Sequence, residues 1–233
     1  MIIALISDVH GNLPAAEEVF KAAGELKADV IHCLGDTVGY GPFPNECVDL
    51  VRKRCTVILK GNHDSGLVGD TPLTDFNHYG LSAIQWTRTA VSEENQEFLR
   101  GLPYTSEQNG MTLAHSSPLN PDAWTYVLTM RAAQENFAAF TTRLCFIGHT
   151  HVPVIIGEDG SVNKYTTTLR HIINVGSVGQ PRDGNAQAAF GLLNTTTQEF
   201  QMVRVPYDIQ KTARAIREAG LPEFLAQRLF QGV

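Results

Sequence analysis

Short apolar runs alternate with amphipathic stretches along the first 150 residues of the chain. The runs have the composition and length of buried strands, and they cover residues 2–6, 29–34, 56–60, 111–114 and 144–147. The stretches between them carry apolar residues at helical spacing, which predicts helices over 13–26, 45–54, 76–90, 92–100 and 131–140. Alternation of strands and helices in this order predicts an α/β protein.

The pattern changes after residue 152, where short β-rich runs are joined by turns such as Glu158-Asp159-Gly160. These runs predict antiparallel strands over 154–156, 162–168, 172–175, 188–193 and 199–205. Helical spacing returns over 209–219 and 222–230. The whole pattern predicts a single domain over residues 1–233, in which two stacked sheets are flanked by helices.

The five strand-like runs of the first part all end in side chains that can bind a metal ion or carry a proton. These ends are Asp8-Val9-His10, Gly35-Asp36, Gly61-Asn62-His63-Asp64, His115 and Gly148-His149-Thr150-His151. Open α/β sheets bind their ligands at the carboxyl ends of the strands, so we expect these side chains to converge. Within each Asp/His or His/His pair the residues are two apart, and on an extended segment such residues share a face.

The donor set indicates which metals and which chemistry the site suits. Seven candidate ligands are present, all of them nitrogen or oxygen donors: Asp8, His10, Asp36, Asn62, His115, His149 and His151. A set without cysteine favours manganese, iron or catalytic zinc over a structural zinc site. Seven ligands suffice for two ions that share a carboxylate, and two ions about 3.5–4 Å apart clamp a phosphoryl group and generate hydroxide from a bridging water. Two dications and two carboxylates leave the site cationic, which should attract phosphate.

Composition and charge restrict the other function classes. The 43% hydrophobic and 18% charged residues are typical of a soluble globule, and a net charge of −6 argues against a stable complex with nucleic acid. No apolar run approaches the roughly 20 residues of a membrane span. The first strand begins at residue 2, which leaves no room for a signal peptide and predicts a cytoplasmic location. The four cysteines show no Cys-x-x-Cys spacing, so we expect reduced thiols.

The order of these motifs resembles that of calcineurin-like metallophosphoesterases, and in particular their small bacterial and archaeal phosphodiesterase branch. The resemblance rests on Asp8-x-His10, Gly35-Asp36, Gly61-Asn62-His63-Asp64, His115 and Gly148-His149-x-His151, with further similarity over 39–42, 45–47 and 174–182. It implies an α/β fold of αββα layers, a sandwich of two mixed β-sheets flanked by helices. It also implies a metal-dependent phosphoric ester hydrolase.

The resemblance implies two divalent metal ions, with manganese as the first expectation and iron, zinc and nickel as alternatives. One ion would be held by Asp8, His10, Asp36 and His151, and the other by Asp36, Asn62, His115 and His149. His63 would be the proton donor or a phosphate contact. The sequence itself places Asp64 beside His63, where it could hold the imidazole and favour its charged form.

Substrate contacts are less defined by the sequence than metal ligands are. Arg182 lies in a Gly- and Ser-rich loop and is a candidate phosphate contact, with a purely structural role as the alternative. Tyr40, in the loop 37–44, either borders the substrate or caps the loop. Lys60 precedes the motif turn and can point away from the site, while 65–75 is expected to be a loop over it. Trp124, Tyr126 and Phe76 either line the pocket or pack in the core.

Three functional hypotheses follow for a small phosphate-ester or nucleotide substrate. The first is phosphodiester hydrolysis, because few cations beyond the metals favour a monoanionic diester. The second is a phosphomonoesterase acting on proteins or nucleotides, including dinucleoside polyphosphates. The third is a scaffold without catalysis, which should have lost ligands that are all present here. The sequence leaves the oligomeric state open.

Overall fold

The computed structural model describes residues 1–233, and its β-strands form two five-stranded sheets. The strands are β1 (Ile2–Ile6), β2 (Val30–Cys33), β3 (Val57–Ile58), β4 (Thr105–Gln108), β5 (Met111–Ala114), β6 (Leu144–Ile147), β7 (Val154–Gly157), β8 (His171–Asn174), β9 (Ala188–Asn194) and β10 (Glu199–Val205). The strand order is β10-β9-β1-β2-β3 in the first sheet and β4-β5-β6-β8-β7 in the second. Each sheet combines parallel and antiparallel pairs.

Eight helices accompany the sheets. They are α1 (Leu13–Glu25), α2 (Pro44–Arg54), α3 (Asn62–Val68), α4 (His78–Ala90), α5 (Glu93–Arg100), α6 (Met130–Phe137), α7 (Ile209–Glu218) and α8 (Glu223–Gln227). Most begin with the chemistry their sequences predict: the Asn12 side chain accepts from Ala15 N–H and the Ser92 side chain accepts from Asn95 N–H. None of the helices combines the length and apolar character that a membrane crossing requires.

Alternation of side chains along the strands explains the layered architecture. In β1, Ile3 and Leu5 join an apolar cluster shared with β5, β6 and β8 of the other sheet, whereas Ala4 and Ile6 pack with α1 and α2. In β6, Phe146 faces the first sheet and Ile147 packs against α6. Burial of each large apolar side chain contributes about 1.5–3 kcal/mol to folding. The predicted αββα sandwich of two mixed sheets is confirmed.

Part of the predicted topology is wrong. The segment after residue 152 is not one antiparallel meander, because β8 pairs in parallel with β6 while β9 and β10 belong to the other sheet. Residues 162–168 form no strand and make only an isolated bridge from Val162 to Ile156. Asn163, with a left-handed φ of 54°, interrupts extended backbone there. The run is rich in residues that favour strands, namely valine, tyrosine and threonine, but the left-handed backbone at Asn163 interrupts it.

The sequence pattern did not predict two elements, the strand β4 and the helix α3. The strand β4 is polar and mostly exposed, and it forms only because it pairs antiparallel with β5 at an edge of the second sheet. The predicted loop 65–75 begins as helix α3, which starts at Asn62, with three residues between it and the short strand β3. Gly61 is the N-cap of α3, and the Asp64 side chain accepts a hydrogen bond from Gly61 N–H across the first turn.

Candidate metal centre

The expected ligands converge where strands of both sheets end at the same side of the molecule. Asp8 and His10 follow β1, Asp36 follows β2, and Asn62 begins α3 after β3. The second sheet contributes His115 after β5, and His149 and His151 after β6. All seven side chains reach one region, and all except the half-buried Asn62 are fully buried. Convergence was predicted correctly from the carboxyl ends of the strands.

The donor atoms form overlapping groups in which ligand atoms lie within 4.8 Å of one another. One group is Asp8, His10 and His151, and another is Asp36, His115 and His149. Six of the seven expected ligands fall into these two groups, whereas Asn62 belongs to neither and Asp36 belongs only to the second of them. The third group, His10, Asp36 and His63, connects the first two. The centre therefore has two halves, which we call the Asp8 half and the His115 half after these ligands.

Asp36 has the geometry of the shared carboxylate. Its Oδ2 lies 3.6 Å from His10 Nε2 and 3.3 Å from His115 Nε2, so one oxygen faces both halves. Its Oδ1 accepts a hydrogen bond of 2.8 Å from His63 N–H, which fixes the carboxylate plane. A Cβ at position 61 would lie 2.1 Å from Asp36 Oδ1, so Gly61 is required for this close approach.

Each histidine ligand is oriented by a hydrogen bond at its other ring nitrogen. The Nδ1 atoms of His10, His115 and His151 lie 3.0, 3.0 and 2.6 Å from the carbonyl oxygens of Val38, Leu34 and Gln180. An Nδ1–H that donates to a carbonyl leaves the lone pair of Nε2 for a metal. His149 is reversed, because its Nε2 is 2.9 Å from Trp124 O and its Nδ1 is left for the ion.

Several polar atoms at the centre lack a partner although they are buried. Asp8 Oδ1, Asn62 Oδ1 and His115 Nε2 make no hydrogen bond, and His10 Nε2 lies 3.0 Å from His151 Nε2. Buried polar atoms are nearly always satisfied, so an unsatisfied cluster requires an explanation. Divalent cations would satisfy these acceptors and separate the two imidazoles. The residues present therefore fit a metal centre.

Burial and neighbouring charges shift the pKa values of the ligand side chains in different directions. Burial favours the protonated carboxyl of Asp8, but His151 and His115 outweigh burial and hold its pKa below the usual range. Burial lowers the pKa of His149 to about 3, with a further contribution from the positive charge of His115. His115 differs, because Asp36 outweighs burial and raises its pKa to about 9. Asp8 is ionised and His149 is neutral at neutral pH, as metal ligation requires, whereas His115 must release its Nε2 proton when a metal binds.

The backbone at the ligands departs from the extended conformation that the sequence suggested. Asp8, His10, Asp36, His149 and His151 all have left-handed backbones, with φ between 51° and 66°. Such conformations are uncommon for non-glycine residues and cost on the order of 1–3 kcal/mol each. Asp8 and His10 do converge, with Oδ1 and Nε2 3.7 Å apart, but they do so through two tight turns rather than through a shared strand face.

His63 lies beside the centre with its ring among aromatic neighbours. Its ring centroid is 4.4 Å from that of Tyr40 and 5.1 Å from that of Phe76. A Cβ at position 39 would lie 2.3 Å from His63 Nδ1. Only glycine, here with φ of 91°, therefore lets the backbone pack directly against the His63 ring. Burial lowers the pKa of His63 to about 4, although the Asp36 carboxylate opposes this shift.

The expected pairing of Asp64 with the His63 imidazole is wrong. The two carboxylate oxygens of Asp64 accept hydrogen bonds from Val38 N–H at 3.2 Å and Gly61 N–H at 3.0 Å, and His63 Nδ1 has no partner. Burial, together with the charge of Asp36, raises the pKa of Asp64 to about 7. Asp64 therefore ties the loop after β2 to the start of α3, because the capping position directs its side chain to backbone donors.

Replacing Asp64 with asparagine should test this structural role. An asparagine offers one acceptor oxygen, so one of the two buried N–H groups would face an amide NH₂ and lose its bond. We expect the free energy of unfolding to fall by about 1–3 kcal/mol. Urea denaturation of metal-free protein would measure it, with Asp75→Asn at an exposed carboxylate as the control. Unchanged stability in Asp64→Asn would contradict the assignment.

The candidate substrate contacts also come together. Arg182 lines the same pocket as Asp36, His63 and His149, and its guanidinium lies 5.6 Å from the Tyr40 ring centroid. Gln180 Oε1 accepts from Arg182 Nη2 at 2.8 Å and from Nε at 3.3 Å, which orients the guanidinium. Gln180 had no role in the sequence interpretation. The only indication of a role for Gln180 in the sequence was its position within residues 174–182, which resemble the corresponding stretch of metallophosphoesterases.

The aromatic residues whose roles the sequence left open divide between pocket and support. Phe76 and Tyr126 line the pocket, and the Tyr126 ring stacks on His149 with centroids 4.1 Å apart. Trp124 supports His149 through its carbonyl oxygen.

The Lys60 side chain points away from the metal centre, because its Nζ donates to Asp70 Oδ2 and Arg100 O. His32 lies inside β2 and is buried, and His78 is exposed at the start of α4.

Comparison with known proteins identifies the class that this fold and centre define. The profile of the calcineurin-like phosphoesterase superfamily domain matches residues 1–198. The chain therefore belongs to this superfamily, and it is a phosphoric ester hydrolase of a family that depends on divalent metals. The resemblance seen in the sequence motifs is confirmed.

The similarity extends over the whole chain in two of the relatives. The uncharacterized protein MJ0912 of Methanocaldococcus jannaschii is 38% identical over 242 residues, which cover 99% of this chain and 98% of that protein. The crystal structure of a metallophosphoesterase from Sphaerobacter thermophilus has 42% sequence identity and a TM-score of 0.90, with 100% and 99% coverage. Phosphodiesterase YfcE of Escherichia coli K12 is more distant, at 24% identity over 83% of this chain and 88% of its own length.

Proposed function

We propose that the protein hydrolyses phosphodiesters with the help of two divalent metal ions, of which manganese is the expected species. The observation that carries this proposal is the meeting of two ligand sets at one oxygen, Asp36 Oδ2, in the wall of an open pocket. Asp8, His10, Asp36 and His151 would hold one ion, and Asp36, Asn62, His115 and His149 would hold the other. Two ions bound there supply Lewis acidity toward a phosphoryl group and lower the pKa of coordinated water.

The charges around the pocket favour a diester over a monoester. Arg182 is the one lysine or arginine side chain among its lining residues, and the Asp75 carboxylate also faces it. A diester brings a single negative charge to this wall, whereas a monoester dianion would need a further cation. Lys60 does not provide that cation, because Asp70 and the end of α5 hold its ammonium group. The name of the relative YfcE, a phosphodiesterase, supports the same substrate class.

Two side chains of this protein would act on the bound ester, and a third would support them. Arg182, oriented by Gln180, would donate hydrogen bonds to the non-bridging phosphate oxygens. His63, which lines the pocket beside Asp36, would donate a proton to the leaving oxygen. Because its pKa of about 4 leaves the imidazole neutral near pH 7, this role requires that the negative charge of the bound ester favour the imidazolium. Tyr40 would support both groups by packing against the imidazole and the guanidinium. The pocket offers about 170 Å³, which suits the phosphoryl end of a small ester rather than a folded nucleic acid.

A comparison of two chromogenic substrates tests the proposal. Protein stripped of metal and reloaded with Mn²⁺ should hydrolyse bis-p-nitrophenyl phosphate with a kcat/KM at least about tenfold above that for p-nitrophenyl phosphate, since one factor of ten corresponds to about 1.4 kcal/mol of differential stabilisation. The metal-free protein should turn over neither substrate. Inductively coupled plasma spectrometry of the same samples should show two ions per chain.

Other outcomes would favour the alternative hypotheses. A preference for the monoester would contradict the diester assignment and support a phosphomonoesterase. Absence of both turnover and bound metal would support a scaffold. Mn²⁺-independent turnover would contradict the role given to the ligand cluster.

A further inference from the structure

The two halves of the metal centre differ in what holds their histidine ligands. The carbonyl groups that orient His10, His115 and His151 belong to Val38, Leu34 and Gln180, and these three residues are buried. The carbonyl that orients His149 belongs to Trp124, which is half-buried between the exposed Ala123 and Thr125. The His115 half therefore depends on a surface segment, and the Asp8 half does not.

Trp124 also has a conformation that requires support. Its φ of 55° and ψ of 31° are left-handed, which is uncommon for a bulky residue and costs free energy. The backbone around it contributes only a short 3₁₀ turn over Pro121–Ala123. A side-chain contact must therefore help to hold this residue in place.

The indole of Trp124 provides that contact. Its Nε1–H donates to Thr71 Oγ1 at 2.9 Å, and Thr71 Oγ1 lies 2.7 Å from Ser65 Oγ on α3. Since α3 begins at Asn62, the same chain of hydrogen bonds connects two ligand-bearing segments of the His115 half. The Trp124 ring also lies edge-on to His115, with centroids 6.0 Å apart.

We propose that Trp124 is a positioning residue for the His115 half of the metal centre, and that its hydrogen bond to Thr71 sets the affinity of this half for its ion. The proposal rests on the two-ion function argued above. The carbonyl group of Trp124 orients His149, and the indole N–H fixes that carbonyl relative to Asn62. Loss of the indole bond should loosen one ion and leave the ion of the Asp8 half unchanged.

The variant Trp124→Phe separates the hydrogen bond from the rest of the residue, because it keeps the aromatic bulk and the backbone carbonyl. Loss of a group that hydrogen-bonds a metal ligand lowers metal affinity by about 10–100-fold. The bond between the indole and Thr71 is one step further from the metal, because it acts on the carbonyl group that orients His149. We therefore expect one of the two Mn²⁺ affinities to fall by about three- to tenfold, as the loss of a single neutral hydrogen bond allows. Thr71→Val removes the acceptor and should weaken the same Mn²⁺ affinity by a similar factor. Thr71→Ser keeps the hydroxyl group and should retain the wild-type affinity.

The readout is Mn²⁺ binding rather than turnover. Metal-free protein is titrated with Mn²⁺, and the electron paramagnetic resonance signal of free aqueous Mn²⁺ gives the number of sites and their dissociation constants. Trp86→Phe is the matched control, because Trp86 is half-buried in α4 and its indole N–H has no hydrogen-bond acceptor within the protein. Thr87→Val is the control for Thr71→Val, since Thr87 is buried and bonds only within α4.

The outcomes distinguish this proposal from the function it rests on. Support requires two ions in the wild type, one weakened affinity in Trp124→Phe, and a double variant with Thr71→Val that is no weaker than either single variant. Two ions with unchanged affinities in Trp124→Phe would overturn the positioning role alone. A wild type that binds one ion would overturn the two-ion function and the proposal with it. Equal weakening of both ions, with reduced stability to urea, would show a general structural role and also overturn it.

Discussion

Replacement of Asp36 by asparagine is expected to reduce kcat/KM for a phosphodiester by about 10³-fold or more, since metal ions contribute several kcal/mol to such reactions. Asparagine keeps the volume of the side chain and an acceptor for the N–H of His63. It replaces Oδ2, the oxygen between His10 Nε2 and His115 Nε2, with an amide NH₂ that cannot bind a cation. Both halves of the centre lose a ligand at once, so the bound metal should fall by at least one ion per chain.

Asp75→Asn is the matched control, because Asp75 also places a carboxylate at the pocket but belongs to none of the ligand groups. That control should retain both ions and activity within a few-fold of the wild type. Retention of two ions and of near wild-type activity in Asp36→Asn would contradict the shared role of this carboxylate. Comparable losses in both variants would indicate that pocket charge, rather than ligation, determines the rate.

Strands that are recognised by the apolar pattern of their own residues were predictable from the sequence. Strands that depend on which neighbouring strand they pair with were not. Strands β1 and β6 are apolar runs buried on both faces, so their sequences alone identify them. The strand β4 has no apolar face and exists because β5 offers it an edge. The parallel pairing of β8 with β6 likewise depends on which sheet the chain enters, and short β-rich runs do not contain that information.

The ligands were predictable because strand ends concentrate them, but their geometry was not. An extended segment was expected to bring Asp8 and His10 together, whereas left-handed turns at both residues do so. A sequence does not reveal such turns when the residues involved are not glycine. Asp64 illustrates the same limit, since its neighbour in sequence is His63 but its hydrogen-bond partners are backbone N–H groups at Val38 and Gly61.

The role proposed for His63 gives the second prediction with a large expected effect. In His63→Ala, hydrolysis of a diester that expels an alkoxide should slow by about 10²–10⁴-fold, the contribution typical of a positioned proton donor. Hydrolysis that expels p-nitrophenolate should slow much less, because this leaving group is stable without a proton. The methyl and p-nitrophenyl esters of thymidine 5′-phosphate share the phosphoryl group and differ in the leaving group. Chromatography of the thymidine 5′-phosphate released measures both rates in the same way.

The comparison separates proton donation from phosphate binding, which the position of His63 in the pocket also permits. A residue that only contacts phosphate acts on both esters equally, so equal losses would contradict proton donation and leave the binding role. His78→Ala is the control, because His78 is exposed at the start of α4 and should affect neither ester. The ring of His63 rests against the backbone at Gly39 and between Tyr40 and Phe76. Added imidazole should therefore find a shaped cavity in His63→Ala, and it should restore the methyl ester rate more than the p-nitrophenyl ester rate if the missing function is the proton.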